Sequence, residues 1–96
     1  MAYRINVPYN GMSLDICAQR VRSTFYNLGW RYHEGMGFIK ASVPLSLLSW
    51  GEEVMVCFYQ TGFSIESRCV FPLQFIDWGK NRNNVNKFMN IFQQIY

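Results

Sequence analysis

Asp77-Trp78-Gly79-Lys80-Asn81-Arg82-Asn83-Asn84 is the stretch on which the reading of this chain turns. It gathers an acid, an indole, a glycine, two bases and three amides where strand-like sequence gives way to helix-like sequence. Downstream, Val85, Phe88, Met89, Phe92 and Ile95 recur at offsets 0, 3, 4, 7 and 10, the spacing of an amphipathic helix expected from about Asn83. Within the stretch, Asp77 is placed to accept backbone N–H groups of the next turn, and Gly79 permits a positive φ. Asn81 or Asn83 is expected to cap the helix, with Trp78 lying over its first turn. A competing expectation is an anion site, because Lys80 and Arg82 stand beside a helix N-terminus. A phosphate loop is excluded: Gln74 stands where the first glycine of GxxxxGK[ST] belongs, and Asn81 replaces the hydroxyl residue. Asp77, Trp78, Gly79, Lys80, Asn81 and Arg82 are therefore candidates for a structural lock or an anion site.

Upstream of this junction the chain reads as strands. Phe63 to Val70 and Glu52 to Tyr59 are joined by the tight turn Gln60-Thr61-Gly62, and Pro72 closes the sheet. Phe38 to Val43 pairs with Trp30 to His33 through the glycine-rich turn Glu34-Gly35-Met36-Gly37. Before them, Leu14, Cys17, Ala18, Val21, Phe25 and Leu28 fall at offsets 0, 3, 4, 7, 11 and 14, one helical stripe with Gln19, Arg20, Arg22, Ser23 and Asn27 outside. Ser13 caps this helix, Asp15 suits its first turn, and Gly29 ends it. Tyr3, Ile5 and Val7 alternate with Arg4 and Asn6, the period of a half-buried strand.

The order is β-α-β-β-β-β-α. Four consecutive strands with short turns predict an antiparallel sheet. The fold class is α+β, a two-layer sandwich with two helices on one face, and residues 1–96 form a single domain. The inward set is Tyr3, Ile5, Val7, Tyr32, Ile39, Ala41, Val43, Val54, Val56, Phe58, Phe63, Ile65 and Cys69.

Half of the residues are hydrophobic, 18% aromatic and 16% charged, which excludes a disordered chain. A net charge of +3 is too small for a dedicated nucleic-acid binder. Cys17, Cys57 and Cys69 lie in apolar elements with no CxxC-type spacing, so free thiols are expected and no metal. No leader-like segment opens the sequence and no run of about 18 apolar residues interrupts it, so a soluble cytoplasmic protein with no membrane span is expected.

Enzyme signatures are missing. His33 is the only histidine and falls on the outer face of an edge-like hairpin. Glu52 and Glu53 are adjacent, so in a strand they point to opposite faces and make no carboxylate pair. No cofactor is expected.

Ser49-Trp50-Gly51-Glu52, Ser64-Ile65-Glu66-Ser67 and Asp77-Trp78-Gly79-Lys80-Asn81, followed by Asn84-Val85 and Phe88, carry a resemblance. The chain resembles a family of small uncharacterised bacterial α+β domains, of unknown function, marked by SWGE- and DWGKN-type motifs. The resemblance runs from the first helix to the last. It implies a small α+β domain, sometimes attached to other modules, and structural marker residues instead of a catalytic set.

Three functional readings follow. The first is a non-enzymatic binding or interaction domain that takes a protein partner or a second copy, as a homodimer. The run Val54-Met55-Val56-Cys57-Phe58-Tyr59 is apolar on both sides, so Met55, Cys57 and Tyr59 form an outer stripe that Phe38 extends. The second is a site for a small apolar ligand or lipid between sheet and helices, with the Leu45–Trp50 loop as its lip, although Leu47, Leu48 and Trp50 of that loop are equally interface candidates under the first reading. The third, nucleic-acid binding through Arg20, Arg22, Lys80, Arg82 and Lys87, is weakened because the aromatics fall on core positions.

Overall fold

The computed structural model describes residues 2–45, 50–71 and 77–94. Its elements are β1 (Tyr3–Pro8), α1 (Leu14–Leu28), β2 (Arg31–Gly35), β3 (Phe38–Val43), β4 (Glu52–Phe58), β5 (Gly62–Cys69) and α2 (Lys80–Gln94). The architecture is α+β: a five-stranded antiparallel sheet in the order β1-β5-β4-β3-β2, with both helices packed on it. β2 to β5 form a meander, and β1 closes it by pairing with β5.

Register decides which side chains meet the helices. Ile5, Ile65, Val56 and Ile39 stand side by side across four strands, and Tyr3, Ser67, Val54 and Ala41 form the next row. Beyond it come Cys69, Glu52 and Val43. Cys17, Val21 and Phe25 of α1 and Val85, Phe88 and Phe92 of α2 close over these rows. Aromatic rings join the helices to each other and to the sheet: Phe25 of α1 and Phe88 of α2 have centroids 5.3 Å apart, Phe88 and Phe92 stack along α2 at 5.5 Å, and Phe63 of β5 meets Phe92 across the layers at 5.3 Å. Each such side chain contributes roughly 1.5–3 kcal/mol by leaving water.

The ends of α1 follow the local chemistry expected of them. Ser13 Oγ accepts from the Ile16 N–H at 3.2 Å, and Gly29 terminates α1 in the left-handed region at φ 74°. Some readings change. Leu14 is half exposed, so the buried stripe of α1 begins at Cys17. Tyr32 approaches Phe25 at 6.0 Å yet stays partly exposed, because edge strand β2 has no neighbour on its far side. Arg20, read as an outer residue, borders the stripe. Its long stem turns the guanidinium onto Phe92, donating to the Phe92 carbonyl at 2.6 Å and lying 4.5 Å over the ring.

The largest shift is the start of α2, at Lys80 and not near Asn83. Asn81 and Asn84 face inward with Val85, Phe88 and Phe92, so the buried stripe opens with two amides that hydrophobic spacing does not register. Neither Asn81 nor Asn83 caps the helix. Asp77 prepares it, accepting from Gly79 N–H on Oδ1 at 2.9 Å and from Lys80 N–H on its carbonyl at 2.8 Å. Trp78 at φ 55° and Gly79 at φ 74° both take the left-handed conformation there. For an indole residue that backbone is uncommon and strained. Trp78 is exposed.

Among the described residues, no helix is long and apolar enough to cross a membrane.

Two outcomes check the packing. A Cβ on Gly62 would collide with the Val7 carbonyl of β1, so Gly62→Ala should destabilise by about 1–3 kcal/mol in urea unfolding. Burial pushes the fully enclosed Cys17 thiol up to about 11. In the folded protein near pH 8, a disulfide reagent should therefore leave Cys17 unmodified until denaturant is added, whereas three fast thiols would contradict the packing of α1.

Candidate functional site

The two faces of the sheet carry different candidate sites. On the helix side, strand parity puts Glu52 and Ser67 among the apolar rows, and both are fully buried beneath α2 together with Asn81 and Asn84. A carboxylate out of water must be hydrogen-bonded or paired. Asn84 Nδ2 supplies this, donating to Glu52 Oε1 at 2.8 Å and to Ser67 Oγ at 3.2 Å. The Ser67 hydroxyl donates onward to Asn81 Oδ1 at 2.8 Å, and Asn81 Nδ2 donates to Asp77 Oδ2 at 3.1 Å. Hydrogen bonds thus link one carboxylate to the other through two amides and a hydroxyl, all donated outward from Asn84, whose Oδ1 is buried with no partner among the described residues.

The residues that follow the two Trp-Gly motifs approach each other at this junction. Trp50-Gly51 leads directly into Glu52, and Trp78-Gly79 into Lys80, whose Nζ lies 4.0 Å from Glu52 Oε1. Gly51 has φ 103° and holds β5 by accepting the Val70 N–H at 3.1 Å. The Lys80 side chain is only 21% exposed, so the base expected to attract an anion is directed at a buried carboxylate. Arg82 lies 5.9 Å from the Tyr3 ring. Asp77, Gly79, Lys80 and Asn81 are thus brought together as a lock on α2. Trp78 and Arg82 stand outside it. Glu52, Ser67 and Asn84 belong to the lock and were not among the expected site residues.

On the helix-free side, Phe38, Cys57, Ser64 and Asn6 form one cross-strand row, and Lys40, Met55, Glu66 and Arg4 the next. Phe38, Met55 and Cys57 are half-buried. The Phe38 ring occupies the space that a side chain at Gly35 would need. Tyr59, just past β4, is 53% exposed and lines an open groove of about 530 Å³ with Arg4, Asn6 and Pro8. Glu53 anchors the charged margin: Lys40 Nζ and Arg68 Nη2 each approach its carboxylate to 3.5 Å. His33 stays on this face at the outermost strand, edge-on to Phe38 at 6.5 Å. The structure therefore unites Phe38, Met55 and Cys57, with Tyr59 at one end.

Trp50 is elsewhere, exposed and 5.6 Å from Phe71, whereas Leu47 and Leu48 lie outside the described residues. Among the described residues, no group of three or more His, Cys, Asp or Glu is arranged to hold a metal ion. Comparison with protein-family models, with curated proteins and with solved structures found no match for this chain.

The lock makes a graded prediction. Asn84→Ala strips the buried Glu52 carboxylate of a donor and should cost about 1.5–3 kcal/mol, and Asp77→Ala about 1–2 kcal/mol. Urea denaturation measures both. Losses below about 0.5 kcal/mol, the range of neutral surface changes, would contradict the hydrogen-bond chain.

Proposed function

We propose that this chain is a non-enzymatic interaction domain that docks a protein partner on the helix-free face of its sheet. One observation carries the reading. A sheet face left in water is normally polar along its length, whereas this one has Phe38, Met55 and Cys57 at its centre and charges along its margin. Tyr59 extends the apolar stripe towards the groove beside β1. In this reading the residues that carry the resemblance to the small bacterial domains are structural. Glu52, Ser67, Asp77, Gly79, Asn81 and Asn84 set α2 on one face and leave the other available.

The second reading needed space for an apolar ligand between the layers. Phe25, Phe63, Phe88 and Phe92 fill that centre with ring-to-ring contacts, which favours interaction over ligand storage. Nucleic-acid binding is disfavoured because Arg20, Arg22 and Lys80 are directed at Phe92, Glu34 and Glu52.

Photo-crosslinking in cells that make the protein natively provides the test. Benzoylphenylalanine at position 59 should yield adducts of higher mass. The same group at position 26, an exposed site on α1, should yield none. Absence of adducts from position 59, or equal adducts from both positions, would overturn the proposal.

A further inference from the structure

We infer that the partner is a second copy of this chain, docked face to face about a two-fold axis that runs along β4 through Met55. The inference rests on the helix-free face being the interaction surface, and it adds the occupant and its orientation. Charge order across the sheet supplies the argument. The row through Met55 reads Arg4, Glu66, Met55, Lys40, His33 from edge to edge. Neighbouring strands are about 4.8 Å apart, so Glu66 and Lys40 stand at that distance on either side of Met55 with opposite charge.

A closed dimer that packs one face on its own copy has its axis in the plane between them. An axis along β4 exchanges the β5 side with the β3 side. It sets Glu66 of each copy opposite Lys40 of the other, forming two equivalent ion pairs around a Met55–Met55 centre. An axis running across the strands instead sets Glu66 on Glu66 and Lys40 on Lys40. Like charges so placed disfavour that arrangement. Aligned sheets cross at about 30°, small enough to keep the opposed pairs in reach.

The rest of the face accommodates the first arrangement. Cys57 lies on the axis against its own copy, and Ser64, already buried in its own chain, stands opposite Phe38 of the other, so the row beside Met55 sets no like charges together. Glu53 also lies near the axis. There it meets its own copy, and Arg68, 3.5 Å from its carboxylate and not used in the Glu66–Lys40 pairs, lessens the repulsion between the two carboxylates.

Equilibrium sedimentation of the full chain tests this with charge reversals on solvent-facing positions. The unmodified protein should dimerise. Glu66→Lys alone and Lys40→Glu alone should each raise the dimer dissociation constant at least about tenfold. An equimolar mixture of the two variants should return to the unmodified value, because each interface then pairs opposite charges again, and the chain carrying both reversals should do the same. Circular dichroism of each variant checks that the fold is intact. A dimer indifferent to the reversals, or one not restored by mixing, would overturn this arrangement and leave the interaction face standing. A chain that stays monomeric while position 59 crosslinks to a different protein would overturn the second copy alone. A monomer without adducts would sink both proposals.

Discussion

A carboxylate with no access to water is the constraint around which this small domain is arranged. Glu52 opens β4 on the helix side of the sheet, where its neighbours in the row are Val43 and Cys69. Such a group is tolerated only with fixed donors, and the helix layer supplies one here. Asn84 provides it, Ser67 and Asn81 extend it, and Asp77 ends it where the chain turns into α2. Apolar contacts alone would hold α2 against the sheet and allow it to slide along its axis. A chain of directed hydrogen bonds restricts that freedom, since a shift by one turn would strand a buried charge.

The lock has a consequence for the opposite face. Both helices are committed to one side, the described residues place no helix on the other, and the sequence there is not purely polar. Phe38, Met55 and Cys57 lie together at its middle, while Lys40, Glu53 and Arg68 form a connected charged margin. Core and surface are thus divided by strand parity: along β4, Glu52, Val54 and Val56 face the helices, and Glu53, Met55 and Cys57 face outward. The proposed interaction function rests on this division.

Much of the fold was legible in the sequence, because periodicity and turn chemistry report it directly. The α1 stripe from Cys17 to Phe25, the Ser13 cap, Gly29, and the strand alternation of Tyr3, Ile5 and Val7 all lie where their spacing predicts. The polar lock was legible only in fragments. Parity already separated Glu52 from Glu53, and Asp77 already read as an acceptor for the following turn. What hydrophobic spacing could not supply was that Asn81 and Asn84 continue the inner stripe of α2, because amides carry no hydrophobic signal. The helix therefore read three residues short, and the partners of Glu52 went unseen. Contacts between Trp50-Gly51-Glu52 and Trp78-Gly79-Lys80 depend on tertiary approach, which no local pattern encodes. The outer stripe was easier, since the run from Val54 to Tyr59 is apolar at every position and so leaves apolar residues on both faces.

A double-mutant cycle at Ser67 and Asn81 tests the central claim, that buried hydrogen bonds and not apolar contact alone seat α2. Ser67→Ala, Asn81→Ala and the double variant are compared by urea unfolding of the same full chain. Members of one buried hydrogen-bonded network should couple by about 1 kcal/mol or more. The account predicts that the double variant loses less than the sum of the single losses by that margin. Strict additivity would contradict it and reduce the lock to an incidental cluster of polar side chains.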